Sequence, residues 1–195
     1  GGKPAGFKLC VGSRTEFLAI VKAMVETNIL PDFIIVDGSE GGTGAAPLEF
    51  EDNMGLPLTQ GLMIVHNALV GAGLRKKIKI GASGKIATGT DIVKRLIQGA
   101  DFTNSARAMM MAIGCIQAQA CHTGKCPVGV ATQDPRRARA IDVPSKADRV
   151  RNYHDGVVAE AVRLMASMGA ASPDELEPTM LRRNVSASES WSYAR

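Results

Sequence analysis

The sequence predicts an α/β fold built on a parallel sheet, and three observations carry that expectation. Strand-like and helix-like segments alternate four times before the first of the clustered cysteines. Phe33-Ile34-Ile35-Val36 is a continuous apolar run, as expected of a parallel strand covered on both faces. The glycine-rich turns fall at the carboxyl ends of the strands. Such alternation implies parallel pairing through right-handed crossovers. A doubly wound sheet and a barrel both satisfy that periodicity.

The elements follow in order. Phe7 to Val11 reads as a short strand interrupted by Lys8, and Ser13-Arg14-Thr15-Glu16 as a capping box opening a helix with Phe17, Ile20, Val21 and Met24 on its apolar face. Asn28 ends that helix. The strand at Phe33–Val36 runs into Asp37 and the glycine-rich turn 38–44. After an irregular stretch, Leu62, Val65 and Leu69 mark a second helix that fades at Gly71 and Gly73. Lys77 to Ile80 predicts the third strand, followed by Gly81-Ala82-Ser83-Gly84-Lys85; Thr88 or Thr90 then caps a helix burying Ile92 and Leu96 and stopping at Gly99. Phe102 to Asn104 is the fourth strand. Beyond residue 143 the pattern changes to one long helix over Val150–Met168, with Val157, Ala161, Leu164 and Met168 on one side. A short helix beginning at Asp174-Glu175-Leu176 precedes a polar tail.

Composition narrows the function. With 195 residues and 45% hydrophobic content the chain can bury a sizeable core as one domain or part of one. The net charge is a modest +4, aromatics are 4%, and the basic residues are dispersed apart from Arg136, Arg137 and Arg139 and the pair Arg182-Arg183. Such runs read as solvated faces, so nucleic acid is not an expected partner. No apolar run has the length of a membrane helix, and no signal peptide opens the chain. Clustered free cysteines without a secretory signal fit a reducing cytoplasm.

Three of the four cysteines stand in CIQAQACHTGKCPVGVATQ, residues 115–133. Gly124, Pro127 and Gly129 turn that loop back on itself, so its thiolates can converge. Spacing alone leaves three readings: a 3Fe-4S cluster on Cys115, Cys121 and Cys126, a zinc site adding His122, or unligated thiols.

Other residues are read alongside bland alternatives. The amides of Ser83, Gly84 and Lys85, with the helix start near Gly89, can cradle a phosphate, or simply form a turn. Ser105 and Arg107 are placed to close the same site, although Arg107 fits a surface position equally well. Lys8 breaks an apolar strand and must reach either a partner or solvent. His66 reads as structural and Cys10 as a buried core thiol.

The segments GCIQAQACHTGKCPVGVATQDP, DGSEGGTGAAPLEF and KIGASGKIATGTDIVKRLIQGAD closely resemble the glutamate synthase family, over at least residues 7–135. The wording is closest to its short, stand-alone members. The resemblance implies the last four βα units of a (β/α)8 FMN-binding barrel over residues 1–143, with a cysteine-rich loop, and a helical extension over 144–195. It implies FMN, its phosphate at the third and fourth strands on Ser83, Gly84, Lys85, Gly89, Ser105 and Arg107. It also implies a 3Fe-4S cluster on Cys115, Cys121 and Cys126. Lys8 would lie near the flavin's N1–C2 region, where positive charge stabilises the reduced anionic ring. Asp37, Glu40 and the turn Gly41-Gly42-Thr43-Gly44 resemble the substrate-side loop, so Lys8, Asp37 and Glu40 are the expected catalytic group. The implied reaction makes L-glutamate from 2-oxoglutarate and ammonia, free or derived from glutamine, through 2-iminoglutarate, with electrons from a donor protein. A relative with another substrate, or a zinc-stapled binding module, are the alternatives. Four strands of a barrel would expose two edges, so self-association is expected of these residues alone.

Overall fold

The computed structural model describes residues 2–38, 49–50 and 53–194. Four strands, β1 (Gly6–Cys10), β2 (Phe33–Asp37), β3 (Lys79–Ser83) and β4 (Phe102–Asn104), form one sheet in the order β1-β2-β3-β4, each pair parallel. Spatial order follows chain order without the reversal that defines a doubly wound sheet. β1 and β4 are its edges.

Helices α1 (Arg14–Thr27), α2 (Leu58–Gly71) and α3 (Gly89–Ile97) supply the crossovers. The core lies between sheet and helices, where Ile34, Val36, Ile80 and Ala82 meet Phe17, Leu62, Val65 and Leu69. Strand side chains alternate between faces. Phe7 and Leu9 therefore join this core, while Lys8 and Cys10 point to the other face. Cys10 is exposed rather than a core thiol, because its register puts it opposite the helices.

Several boundaries differ from the sequence pattern for local reasons. Asn28 ends α1 in the left-handed conformation at φ 55°, as expected, and Ser13 occupies the cap position. Ser13 makes no side-chain cap hydrogen bond, so the expected capping box is not formed, and Ile20 is exposed rather than buried. The third strand lies two residues later than predicted. Lys77 and Ile78 are still in the turn, their amides donating to Leu74 O at 2.9 and 3.2 Å. Gly81 belongs to the strand because it has no Cβ: one would lie 2.5 Å from the Phe102 ring, which packs across it.

Thr88 and Asp91 do form a capping box on α3. Asp91 N donates to Thr88 Oγ1 at 3.1 Å, and Thr88 N donates to Asp91 Oδ2 at 3.0 Å. The fully buried residues of α3 are Gly89, Val93, Arg95 and Ile97; the predicted Ile92 and Leu96 are half-buried, Ile92 against the main core, while a further helix covers Val93 and Ile97. Burial alone raises the Asp91 pKa, but the amides of Ala87 and Thr88, the Thr88 hydroxyl and Arg95 outweigh it and hold the carboxyl below its ordinary value. The carboxylate's contribution is thus complete above the ordinary carboxyl range and is lost as pH falls through the lowered folded value. Asp91→Ala should cost about 1 kcal/mol at neutral pH. In urea denaturation that difference should shrink on acidification; a difference that grows with acid would contradict the cap.

After β4 come α4 (Arg107–Ile113), a loop holding the clustered cysteines, the single turn α5 (Pro135–Ala138) and α6 (Val143–Ser167). α6 starts seven residues earlier than the apolar pattern indicates, since Asp142 caps it and Pro144 fits its first turn. It packs on α3 and α4. The expected last helix is one 3-10 turn, Pro173–Glu175, and the polar tail folds into an antiparallel pair, β5 (Arg182–Asn184) with β6 (Ser190–Ser192). Among the described residues no helix is long and apolar enough to cross a membrane.

At the amino end of the sheet, Asp101 accepts hydrogen bonds from Arg75 Nη2 at 2.8 Å, Lys79 Nζ at 3.1 Å and Ile80 N at 2.7 Å. The His66 ring lies against Gly99 and accepts from Arg75 Nε at 3.3 Å. Burial first, then Arg75, pushes the His66 pKa down. A neutral acceptor here is structural, as the sequence implies, and lies at the opposite end from the site.

Candidate functional site

The carboxyl end of the sheet gathers the polar residues. Register places Cys10, Asp37, Ser83 and Asn104 in one row across the four strands, on the face away from α1–α3. The next row inward is Lys8, Ile35, Gly81 and Phe102. Lys8 therefore rises from one row to meet Asp37 in the other, Nζ to Oδ2 2.5 Å, with its side chain 46% exposed. This explains how a lysine interrupts an apolar strand. It faces away from the core and has a carboxylate partner. Glu40 and the turn 41–44 lie outside the described residues.

The end of β3 is tied to the end of β2 by Gly38 N donating to Ser83 O at 2.9 Å. Gly84 follows at φ 135° and Lys85 at φ 46°. Two successive positive angles curl the chain tightly, and Lys85 holds a conformation unusual for a residue with a side chain. A Cβ on Gly84 would stand 3.3 Å from Gly38 N, so the glycine serves both the angle and the close approach of the two strand ends. Ser105 Oγ donates to Ile86 O at 2.7 Å and clamps the β4–α4 connection to the same loop. Gly89 lies apart from this turn in its contacts: its amide donates to Glu160 Oε2 at 2.9 Å, and Thr90 Oγ1 donates to Glu160 Oε1 at 3.1 Å. The Gly89 amide, ahead of opposing burial, holds the Glu160 pKa below its ordinary value. Tyr153 of α6 donates its hydroxyl to Ala87 O. The α3 amino end thus receives a carboxylate from within the chain.

Arg107 opens α4 and shares a cavity of about 170 Å³ with Met110, Met111, Cys115, Gln117, Gln119 and Cys121. Cys121 sits in a 3-10 turn, and Cys115 Sγ accepts from Gln117 N at 3.4 Å. Cys126 is buried, 6% exposed, and the amides of Val128, Gly129, Val130 and Ala131 lie around its sulfur. Burial alone would raise this thiol, yet the four amides together bring it below its ordinary value. Gly129 lets the nest close, since a Cβ there would run into the backbone carbonyl of Arg137. Among the described residues no three Cys, His, Asp or Glu side chains stand close enough to hold one metal ion. The donor chemistry is nevertheless that of thiolate ligation: two half-buried sulfurs on one cavity and a third stabilised as its anion. The Gly84 curl likewise fits an anionic phosphate. Asn104 is the residue the sequence reading passed over; period-two alternation from Phe102 would have put it in the row with Ser83.

A parallel α/β sheet in chain order, with its polar residues at the carboxyl end, is the fold of a flavin enzyme structure: a flavocytochrome b2 variant with pyruvate bound superposes over 97% of this chain and 39% of its own, with TM-score 0.57 and 16% identity. Residues 2–171 match the conserved region in glutamate synthase. The chain belongs to the glutamate synthase family. It is 46% identical over 173 residues to the glutamate synthase large subunit-like protein YerD of Bacillus subtilis, covering 89% of this chain and 33% of that protein. It is 40% identical over 146 residues to the ferredoxin-dependent glutamate synthase of Pyropia yezoensis, covering 74% of this chain and 9% of that one. The chain thus spans about a third or less of these curated relatives.

Proposed function

We propose that this chain forms the second half of a (β/α)8 FMN barrel in a glutamate synthase-type oxidoreductase. The observation that carries the reading is the Lys8–Asp37 ion pair, at 2.5 Å, on the same sheet end as the Ser83-Gly84-Lys85 curl, in a chain of this family. FMN, when bound, supplies a two-electron hydride donor. The curl and the Ser105 clamp would hold its phosphate through backbone amides, and the Lys8 ammonium would stabilise negative charge on the reduced ring. Asp37 keeps that ammonium aimed along the strand end, and Glu40 with the adjoining turn receives the substrate. Ammonia and 2-oxoglutarate give 2-iminoglutarate and water; addition of a hydride and a proton then gives L-glutamate. Cys115, Cys121 and Cys126 would hold a 3Fe-4S cluster, which would supply one-electron transfer to the site.

The test uses the full-length protein. Anaerobically reduced enzyme should form glutamate from 2-oxoglutarate and ammonia, in step with flavin reoxidation. Reoxidation by other 2-oxo acids alone would move the reaction elsewhere in the family. Gly84→Val, which adds a side chain where the backbone curls, should weaken FMN at least about tenfold and riboflavin far less, because only FMN carries the phosphate. Equal losses for the two flavins would remove the curl from the phosphate site.

A further inference from the structure

The loop that follows the Gly84 curl is held from behind by α6, a helix outside the four strand and helix units of the sheet. Tyr153 of α6 donates its hydroxyl to Ala87 O, 66 positions earlier in the chain. Glu160, about two turns further along the same face of α6, accepts from Gly89 N at 2.9 Å and from Thr90 Oγ1 at 3.1 Å. Ala87 is gripped on its other side as well, since its amide donates to Asp91 Oδ2 at 3.1 Å, and Thr88 N donates to the same oxygen at 3.0 Å. Ile86 O receives the Ser105 hydroxyl at 2.7 Å. Each residue from 86 to 90 therefore has a tether, and α6 supplies those on Ala87, Gly89 and Thr90. Burial first, then Asp91 and Glu160, push the Tyr153 pKa up, so the phenol keeps the proton that it donates.

These tethers matter because of Lys85. A residue with a side chain at φ 46° is strained, and it keeps that conformation only while its surroundings fix it. On the upstream side the bond from Gly38 N to Ser83 O does so. On the downstream side the work falls to residues 86–90. Between that loop and α6 lies a cavity of about 150 Å³, lined by Ile86, Ala87, Ser105, Tyr153 and Val157 among others. The loop thus has room to relax toward α6 once a tether is lost, and relaxation lets Lys85 return to negative φ and turns the amides of the curl away from a common point. We propose that Tyr153 and Glu160 are positioning residues for the flavin phosphate: α6 fixes residues 86–90 and so keeps the Ser83-Gly84-Lys85 amides preorganised for a phosphate ester. The proposal rests on the reading of that curl as the phosphate site. It requires no contact between α6 and the flavin.

The experiment takes the full-length protein freed of flavin and measures the affinities of FMN and of riboflavin by quenching of flavin fluorescence. Tyr153→Phe keeps the ring and removes only the hydroxyl. It should weaken FMN about fivefold and riboflavin less than about twofold, since a lost tether acts on the phosphate alone. Glu160→Ala, which frees both Gly89 N and Thr90 Oγ1, should weaken FMN about tenfold with the same selectivity. Ile97→Val is the control for loosening without loss of a tether, because Ile97 packs with Ala161 of α6 in a separate apolar cluster. It should lower the urea midpoint and leave the ratio of the two affinities within about twofold of the parent. Equal weakening of both flavins by Tyr153→Phe, no weakening of either, or an equal change of the ratio in Ile97→Val overturns the positioning role. Gly84→Val in the same series separates the two readings. A ratio moved by Gly84→Val but not by Tyr153→Phe or Glu160→Ala sinks the role of α6 alone, whereas a ratio unmoved by Gly84→Val sinks the phosphate reading of the curl and the positioning role with it.

Discussion

Gly89→Ala is expected to destabilise the protein by about 2–4 kcal/mol, far more than a methyl group costs on an open helix. The reason is the approach of α6. A Cβ on Gly89 would run into the Ala161 amide nitrogen and stand 2.8 Å from the Glu160 carbonyl carbon, and these are backbone atoms that no side-chain rotation can move. Relief requires α6 to lift, which loosens the Glu160 hydrogen bonds to Gly89 N and Thr90 Oγ1 and the apolar cluster of Val93, Ile97 and Ala161. Gly156 on the same helix is the contrast, because nothing lies within 4 Å of its added Cβ. Gly156→Ala should stabilise by about 0.5–1 kcal/mol through helix propensity alone. Urea denaturation reads both signs, and limited proteolysis of Gly89→Ala should cut first within residues 143–195. Equal and small effects at the two glycines would mean that α6 does not press on α3.

The close docking at Gly89 marks what the sequence could and could not disclose. Apolar periodicity located all four strands of the parallel sheet and the helices between them, because each buries a face whose spacing is written locally. It misplaced β3 by two residues, because Gly81 and Ala82 look like turn residues until Phe102 is laid over Gly81. It found Ile92, which packs half-buried on the main core, but missed Val93 and Ile97, since nothing near them in sequence reveals that α6 covers them. The β5–β6 pair was invisible for the same reason: three-residue strands of Arg, Asn and Ser with a single Trp191 carry no periodic signal.

For the site, the legible part was chemical and the illegible part geometric. Lys8 stood out as a charge in an apolar strand, but its partner followed from register, which places Cys10 beside Asp37 and lets Lys8 reach along the strand. Gly84 announced a turn. That Lys85 shares its positive φ is a property of the folded loop. Gly89 looked like one more amide for an anion, and the helix that fills it lies some seventy positions away, where Glu160 supplies the carboxylate.

Cys126→Ala is expected to strip the loop of iron, leaving less than about a tenth of the parent content, the scale of loss that follows when a metal site loses a ligand or the groups that orient it. Of the three clustered thiols, Cys126 is the one the fold prepares most completely. Its sulfur is buried, so water has little access to replace it, and the amides of Val128, Gly129, Val130 and Ala131 already stabilise the thiolate. Removing the sulfur empties a buried position beside residues 128–131. Some loosening of residues 124–132 should accompany the loss of metal. Cys121→Ser should also lose iron, but with less loosening, since Cys121 is half-buried on an open cavity. Cys10→Ala sets the baseline. That thiol lies on β1, the sheet edge opposite β4, with its sulfur 3.6 Å from Met54 O, and its removal should leave iron and sulfide unchanged. Full iron in Cys126→Ala, or equal loss in Cys10→Ala, would show that the cluster is not held where the amide nest lies.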